Sequence, residues 1–371
     1  MKILYYLPEY DTPMFSWQRV HIFDELKRSG VDIDVVNPLM FESYDEANEA
    51  LLNVVRNSHY DLFLTCLCSE NMIYKTTLTE IKRLGVPTVS FRPDNLLIPY
   101  YDKNLAKYFD LVWLTSHETQ HLYDRWGAKS VFLPYAANPY AFTPTGDTLI
   151  RRVCFIGRPY GSRPVMINQL TQKGVDVDVF CKGNENIFSV SSKNPIKQHL
   201  LLPSKVQVFI DSLKFVEGRK MIASKILYGL KKATQLDENN YLHLKNSVLC
   251  SELGGYYSPY VIALAATSAA NSDILKKPIS VVQLRNFEIP MSGGIEFCKY
   301  NEELASYFEE NKEIVFYRND DELVDKVKYY LQKATDDELL NIKRNARKRS
   351  INEHTWMCRF NKIFETLGIN I

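Results

Sequence analysis

The sequence has no long apolar run, almost no net charge and no pairing pattern among its cysteines. No apolar stretch approaches the ~20 residues of a membrane-spanning helix, and residues 1–7 are too short for a signal peptide. The chain carries 45 lysines and arginines against 44 aspartates and glutamates, a formal net charge of +1. No field over the whole chain therefore attracts nucleic acid or a membrane. These absences predict a soluble, cytoplasmic protein.

The seven cysteines are scattered along the chain and odd in number, which excludes a disulfide framework. Cys66 and Cys68 lie close together, but no further pair of ligands accompanies them, so we predict no metal site. Two Asp-x-Asp sequences, Asp32–Asp34 and Asp176–Asp178, lie inside strand patterns. We interpret them as exposed residues on one strand face rather than as a metal-binding motif.

At 371 residues the chain is long enough for about two domains. Its first ~140 residues alternate short apolar strands with amphipathic helices. We predict strands over 3–7, 31–36, 62–66, 87–91, 111–115 and 130–133, and helices over 18–28, 47–56, 77–84 and 118–126. Such strands pair in parallel with both faces covered, which predicts a doubly wound α/β domain.

A second series of the same kind begins near residue 150. We predict strands over 152–156, 175–180, 295–298 and 314–317, and helices over 163–172, 302–308, 321–332, 336–350 and 356–367. Residues 184–258 are predicted to be mostly helical, and 262–270 fits a helix or a buried strand. Pro134–Gly146, with three prolines, is the predicted linker. The predicted fold class is α/β, with two Rossmann-like domains facing a ligand-binding cleft.

The segment Leu284–Gly294 suggests a ligand-binding helix. Its single carboxylate, Glu288, lies in a short predicted helix that a glycine pair closes. A glutamate can accept hydrogen bonds from both hydroxyls of a ribose, and free N–H groups at a helix start can hold a diphosphate. An ordinary buried turn with a capping glutamate would leave the same pattern.

Several segments occur in an order shared with a known family. The strongest set comprises Leu284-Arg-Asn-Phe-Glu288, Gly293-Gly294, Tyr300-Asn-Glu-Glu-Leu304, Lys312-Glu-Ile-Val-Phe-Tyr317, Glu322-Leu323, Lys328-Tyr-Tyr-Leu331 and Glu353-His-Thr-Trp356. Two other sets are Val153-Cys-Phe-Ile-Gly157 with Arg163, and Tyr108-Phe-Asp-Leu-Val-Trp-Leu-Thr115 with Trp126-Gly127 and Leu133-Pro-Tyr-Ala-Ala-Asn-Pro139. In order and spacing, these segments resemble the GT-B glycosyltransferases and, among them, the CgeB-like (group 1-like) family.

The resemblance implies transfer of a sugar from a UDP- or dTDP-sugar to a cell-surface glycan, a lipid-linked acceptor or a protein, without metal or cofactor. It implies an acceptor-binding domain over 1–142 and a donor-binding domain over 143–371, with the last helix, 356–371, crossing back. Glu288 would bind the ribose, and Arg158 or Arg163 would neutralise the phosphates. The remaining implied donor-site residues are Gly157, Arg285, Gly293 and Gly294.

The sequence departs from the larger group-1 class at two places. Ser280 occupies the position at which many relatives carry an additional glutamate, and Pro8–Phe15 contains no glycine after the first strand. Both departures put a retaining mechanism in doubt. Glu296 interrupts an apolar strand pattern, and we predict that it faces solvent at a strand end rather than the donor.

An inverting transfer needs a general base near the acceptor hydroxyl. Asp94 is the best candidate, because it follows the strand 87–91 at its carboxyl end. Pro-Asp-Asn is also good turn chemistry, so Asp94 fits an Asx turn as well. His117 fits the first turn of a helix capped by Ser116, although it could orient the acceptor. His21 is interpreted as structural and Arg19 as part of a solvated helix face.

Two basic stretches, Lys343–Arg349 and 219–232, could contact anionic lipid. We interpret both as solvated faces. Neither has the signature of a nucleic-acid-binding site. Two other functions fit the same two-lobed architecture: a GT-B nucleotide-sugar epimerase and a non-catalytic sugar-binding protein.

Overall fold

The computed structural model describes residues 1–9, 17–161, 163–182, 204–230, 235–269 and 271–370. Among these residues, contacts define two compact units. The first unit contains residues 1–134, 204–219 and 357–370, and the second contains residues 135–182 and 220–356. The acceptor and donor roles assigned to the two domains remain predictions.

The first unit is built on a parallel sheet of six strands, in the order β2-β1-β3-β4-β5-β6. The strands are β1 Lys2–Tyr6, β2 Asp32–Val36, β3 Leu62–Thr65, β4 Thr88–Arg92, β5 Leu111–Leu114 and β6 Ser130–Phe132. A π-helical turn, Arg19–Phe23, leads into α1 Asp24–Arg28, and α2 Tyr44–Asn57, α3 Lys75–Arg83 and α4 Gln120–Arg125 follow. Strands β3, β4 and β5 are buried along their whole length, as both faces of the sheet are covered.

The second unit has another parallel sheet of six strands, in the order β12-β11-β10-β7-β8-β9. The remaining elements are β7 Ile150–Ile156, α5 Arg163–Gln172, β8 Val177–Lys182, α6 Lys205–Ser212, α7 Val216–Leu230, β9 Leu242–Asn246, α8 Leu253–Tyr257, β10 Tyr260–Leu264, α9 Arg285–Met291, β11 Glu296–Lys299, α10 Glu302–Tyr307, β12 Val315–Tyr317, α11 Asp320–Gln332, α12 Asp336–Glu353 and α13 Trp356–Leu367. Of these, α6, α7 up to Arg219 and α13 from Met357 onward belong to the first unit.

Strand order determines where each sheet can bind a ligand. In a doubly wound sheet the crevice lies beyond the carboxyl ends of the strands, where the order of strands reverses. In the second unit that point lies between β7 and β10, which are paired in the centre of the sheet. Gly157 directly follows β7 and therefore lies at this edge.

The predicted α/β class is confirmed, and most predicted strands and helices agree with the structure to within a few residues. The described part of 184–258, which we expected to be mostly helical, contains the helices α6, α7 and α8 and one strand that we did not predict, β9. It is an edge strand whose Leu242 and Leu244 pack against the core, while the residue between them, His243, is polar. The sequence left 262–270 undecided between a helix and a buried strand. In the structure, this stretch begins within the strand β10.

The predicted linker Pro134–Gly146 forms no helix or strand, but its first part is not exposed. Residues 135–138 are buried, and so is Phe142. The amide of Ala137 donates to the carbonyl of His354 at 3.0 Å. The segment therefore packs as part of the core rather than crossing solvent.

The seven cysteines are free thiols, and Cys68, Cys154 and Cys298 are buried, as the scattered spacing predicts. No helix in the described part of the chain combines the length and the apolarity needed to cross a lipid bilayer.

Candidate active site in the second unit

The turn after β7 brings a guanidinium group against the end of the strand. Gly157 has φ +127°, and a Cβ at this position would lie 2.7 Å from Nη2 of Arg285. Both the backbone conformation and the space therefore require glycine. Arg285 is the first residue of α9, so this helix and the end of β7 meet at the carboxyl edge of the sheet.

A second arginine lies beside the first. The guanidinium carbons of Arg285 and Arg163 lie 5.7 Å and 6.0 Å from the centroid of the Phe155 ring. Nε of Arg285 donates to the hydroxyl of Tyr257 at 3.1 Å. Arg163 stacks on Tyr160 at 4.3 Å. The two side chains thus converge on one aromatic residue of β7.

The electrostatics of the pair favour a bound anion. Burial, and then the charge of Arg285, are the causes that lower the pKa of Arg163. Burial also opposes the charge on Arg285, but interactions with Tyr257 and Glu288 raise its pKa above the usual value. Among the described residues, neither guanidinium forms an ion pair. Two adjacent cations without a carboxylate partner are suited to a diphosphate.

Glu288 lies on α9, one turn after Arg285, and only 5% of it is exposed. Its charge acts on both Arg285 and Tyr257. A buried carboxylate beside a cation can accept hydrogen bonds from a pair of ligand hydroxyls. Arg285 and Glu288 are therefore placed together, as the prediction for the donor site requires.

The structure leaves few free amides at the start of this helix for a diphosphate, and that part of the donor site remains a prediction. The amides of Phe287 and Glu288 donate to the carbonyl of Leu284, and the amide of Asn286 donates to the carbonyl of Gln283. These donors are satisfied within the first turn. The guanidinium groups, rather than the helix start, are the groups available to phosphates at this edge.

Gly293 and Gly294 lie at the opposite end of α9. Their amides donate to the carbonyls of Pro290 and Ile289 at 3.0 Å and 2.9 Å, and Gly293 has φ +68°. This is a glycine cap that ends the helix. The structure does not bring the glycine pair together with Arg285, and its role in donor binding remains a prediction.

Arg158 is exposed in the loop after Gly157. Its carbonyl accepts a hydrogen bond from Nη1 of Arg163 at 3.1 Å. The loop backbone thus positions Arg163, while the part of Arg158 in phosphate binding remains a prediction.

Glu296 corrects a prediction, because it is fully buried rather than facing solvent. Its strand, β11, pairs on both sides with β10 and β12, so a residue here has no route to solvent at an edge. Asn286 donates to Oε1 of Glu296. Burial raises the pKa of Glu296 to about 7, an effect that hydrogen bonds from Asn286 and Cys298 partly offset.

Asn286 is a residue that the sequence analysis missed. It is fully buried on α9, and its Oδ1 accepts from the amide of Gln283 at 2.7 Å. The side chain therefore joins the loop before α9 to Glu296 on β11. A polar residue between the apolar positions of a short helix was the only available signal.

Asp94, in the first unit, lies in the turn after β4 and is exposed. Its φ is +55°, and its amide donates to Oγ1 of Thr115 at 3.2 Å. Asn95 accepts from the amides of Thr115 and Ser116, both at 2.9 Å, and so ties the ends of β4 and β5 together. Turn formation is thus observed, and a left-handed residue at a carboxyl strand end is a feature that functional sites often show.

The other candidate residues of the first unit have structural surroundings. His21 is fully buried. His117 lies in a short helical turn after Ser116, and its ring packs on Phe132 at 5.4 Å. Arg19 forms a bidentate ion pair with Glu9, in which Nε donates to Oε1 at 2.6 Å and Nη2 donates to Oε2 at 2.7 Å. Residues 10–16, which include most of the glycine-free loop, lie outside the described residues.

One further interpretation was wrong, and another holds only in part. Asp178 is 3% exposed, not exposed on a strand face, because it pairs with Arg152 at 2.8 Å and accepts from Tyr260 at 2.6 Å. The Lys343–Arg349 stretch is a solvated face only in part, since Arg344 and Lys348 are exposed while Lys343 is 7% exposed. Lys231 and Lys232 of the other basic stretch lie outside the described residues.

Known structures share this architecture over nearly the whole chain. Sucrose-phosphate synthase from Thermosynechococcus elongatus has a TM-score of 0.55 at 12% identity, covering 99% of both chains. Anabaena HepE in complex with UDP has a TM-score of 0.56 at 13% identity, covering 99% of this chain and 100% of that one. An α-glucosyltransferase in complex with UDP and DNA has a TM-score of 0.58 at 10% identity, covering 99% of both. This chain has the GT-B glycosyltransferase fold.

A match to a protein family covers part of the candidate site of this GT-B protein. Residues 246–365 match the family described as "Glycosyl transferase-like", and that region contains Arg285, Glu288 and Glu296. No curated protein matches the sequence. The CgeB-like subgroup remains a prediction.

Proposed function

We propose that this GT-B protein transfers a sugar from a UDP- or dTDP-sugar to a hydroxyl of a cell-surface glycan, a lipid-linked acceptor or a protein. The proposal includes a cytoplasmic location, peripheral contact with the membrane where the acceptor is lipid-linked, and no metal or cofactor. The observation that carries it is the pair of guanidinium groups, Arg163 and Arg285, over Phe155 at the carboxyl edge of the second sheet. Glu288 lies one helical turn away.

These groups match the parts of a nucleotide-sugar donor. When the bond between sugar and phosphate breaks, negative charge develops on the departing nucleoside diphosphate, and arginines stabilise that charge. Glu288 accepts hydrogen bonds from the ribose hydroxyls. The glycine at 157 leaves room for the Arg285 guanidinium against the end of β7, where that group can meet a phosphate.

Related structures support a uridine nucleotide as the donor. HepE was solved with UDP and with UDP-glucose, and the α-glucosyltransferase with UDP. The latter also holds DNA. We propose no nucleic-acid acceptor here, since the net charge is +1.

We assign the general base of an inverting transfer to Asp94, on the first unit. The second carboxylate of the retaining relatives has no counterpart at Ser280, whose hydroxyl instead accepts from Nδ2 of Asn301 at 2.7 Å. Without it, a single displacement by an acceptor hydroxyl is the simpler reaction, and that reaction needs a base.

A panel of nucleotide sugars, incubated with and without acceptors, tests the proposal by the nucleotide that is released. A transferase releases nucleotide and forms a glycosylated product only when an acceptor is present. Release without any acceptor, together with an isomerised sugar, would identify an epimerase. Tight binding of a sugar without release of nucleotide would identify a sugar-binding protein.

A further inference from the structure

A second cavity of about 410 Å³ opens at the other edge of the second sheet. Its lining includes Gly146 and Asp147, which precede β7, Ser258, which precedes β10, and Gly293, which precedes β11. Helix α12 forms the remaining wall. These residues lie at the amino ends of the strands, whereas Gly157 and Arg163 follow a carboxyl end. The cavity is therefore separate from the proposed donor site.

The charge of this cavity is strongly one-sided. The lining from α12 includes Lys343, Arg344, Arg347 and Lys348, and Asp147 is the only acidic residue of the lining. Across the part of the chain that the structure describes, none of these four cations forms an ion pair. Arg349 on the same helix, by contrast, pairs with two glutamates.

Two of the cations are held in place by backbone carbonyls. Nζ of Lys343 donates to the carbonyls of Ser258 and Tyr260, the latter at 3.0 Å. Arg347 donates to the carbonyls of Phe142 and Met291, and to that of Pro139 at 3.0 Å. The cavity wall is thus built before any ligand binds.

These buried charges are costly to the folded chain. Burial lowers the pKa of Lys343 to about 8 and also lowers the pKa of Arg347. Arg344 and Lys348 are exposed and lie one turn apart on the same helix, where like charges repel. Carbonyl groups satisfy hydrogen bonds but do not neutralise a cation. A bound anion would remove this unfavourable charge.

We propose that this cavity binds a phosphate-bearing anion, either free or as the headgroup of a lipid. The volume is within the range of small-ligand pockets and exceeds what one inorganic phosphate fills. Arginine and lysine together match the oxygen atoms of a phosphate. Pro144, Leu340 and the half-exposed Ile351 add an apolar wall for the non-phosphate part of the ligand.

Titration calorimetry of the full chain with inorganic pyrophosphate tests the proposal. The double variant Arg344→Gln/Lys348→Gln removes two exposed cations of the cavity and keeps the carbonyl-bound pair. The matched control, Lys328→Gln/Lys333→Gln, removes two cations of the same unit, one from α11 and one from the residue that caps its carboxyl end. We expect pyrophosphate to bind about tenfold or more weakly to the cavity variant and unchanged to the control.

The donor site offers its own arginines to pyrophosphate, so Arg163→Gln is included. Binding that persists in Arg163→Gln but is lost in the cavity variant belongs to this cavity. If the cavity variant binds pyrophosphate as the unchanged chain does, and the loss occurs only in Arg163→Gln, the proposal is overturned.

Sedimentation with vesicles distinguishes the two sources of phosphate. Vesicles of phosphatidylglycerol should retain the unchanged chain and the control but not the cavity variant if the ligand is a headgroup, and phosphatidylcholine vesicles should retain none of them. Pyrophosphate binding without vesicle binding identifies a free ligand. Equal behaviour of the cavity variant and the control in both assays contradicts the proposal.

Discussion

Two buried glutamates on neighbouring elements show how surroundings decide the role of a residue. Glu288 lies on α9 with Arg285 and Tyr257 within electrostatic reach. Glu296 lies on β11, where Asn286 is its hydrogen-bond donor and burial raises its pKa to about 7. The first is suited to accept bonds from a ligand, and the second positions the helix that carries the first.

Replacing Glu296 by glutamine should change how stability depends on pH. Since the folded pKa is raised above the unfolded value, ionisation destabilises the fold as pH rises from that of a free carboxyl through about 7. Glutamine keeps the acceptor for Asn286 and does not titrate. By pH 8 the unchanged chain should have lost on the order of 2–3 kcal/mol relative to Glu296→Gln. Urea unfolding between pH 5 and 8 measures this, and parallel curves for the two proteins would contradict it.

Glu288→Ala should weaken nucleotide binding more than it harms folding. The loss of charge-assisted bonds to two hydroxyls should cost on the order of 1.5–3 kcal/mol of binding free energy. Calorimetry with UDP measures this loss, and Glu302→Ala, at an exposed position on α10, is the control. Normal UDP affinity in Glu288→Ala, or an unfolded variant, would return Glu288 to a structural role.

Asp94→Asn should lower turnover by roughly 10²–10⁴, the usual contribution of a positioned base. Asparagine also adopts left-handed φ values, so the turn at φ +55° should survive. Nucleotide affinity should stay nearly constant, because Asp94 and the donor-site residues belong to different units. Turnover equal to that of the unchanged enzyme would remove Asp94 from the mechanism, and a product of retained configuration would remove the single displacement.

At the scale of elements, short turns at strand ends place the candidate groups. The turn after β7 requires a glycine whose neighbour is a guanidinium group. The glycine cap of α9 lies at the end of the helix opposite Arg285. At the start of the helix, the amides of its first turn bond to nearby backbone carbonyls. The helix therefore contributes side chains to the site rather than its backbone.

Gly157→Ala should weaken UDP binding as well as folding. The new Cβ would be strained at φ +127° and would displace the Arg285 guanidinium; the strain alone costs about 1–3 kcal/mol. Gly85→Ala in the first unit is a control, because Gly85 also has a positive φ, +83°, with nothing within 4 Å of the added carbon. Both variants should melt at lower temperature, but only Gly157→Ala should lose UDP affinity. Equal UDP affinity in the two variants would exclude the contact with Arg285 as a determinant of binding.

At the scale of the whole molecule, a donor nucleotide should stabilise the native chain by mass action. A ligand at 100 times its Kd adds about 2.7 kcal/mol to the free energy of unfolding. UDP or dTDP at millimolar concentration should therefore raise the melting temperature by several degrees, measured by scanning calorimetry. Uridine, which lacks the diphosphate, should have a smaller effect if the arginine pair is the main contact. Absence of any shift with either nucleotide would contradict the donor proposal.

The sequence by itself determined the two α/β units and most of their elements. Central parallel strands are buried on both faces, so β3 and β5 are apolar runs that can be recognised locally, whereas the equally buried β10 also fitted a helix. The helices α2, α11 and α12 are preceded by the capping residues Ser43, Asn319 and Thr335, which the sequence encodes. The edge strand β9 was missed because only alternate residues are apolar, amid a polar stretch.

The tertiary structure decided which groups meet. The contact of Arg285 with Gly157, its convergence with Arg163 on Phe155 and the bond between Asn286 and Glu296 join different elements. The burial of Glu296 and Lys343 likewise depends on neighbouring strands and helices that local patterns do not specify. A local pattern reports which face of an element is apolar, but the charge state and partners of a side chain depend on what the folded chain places beside it.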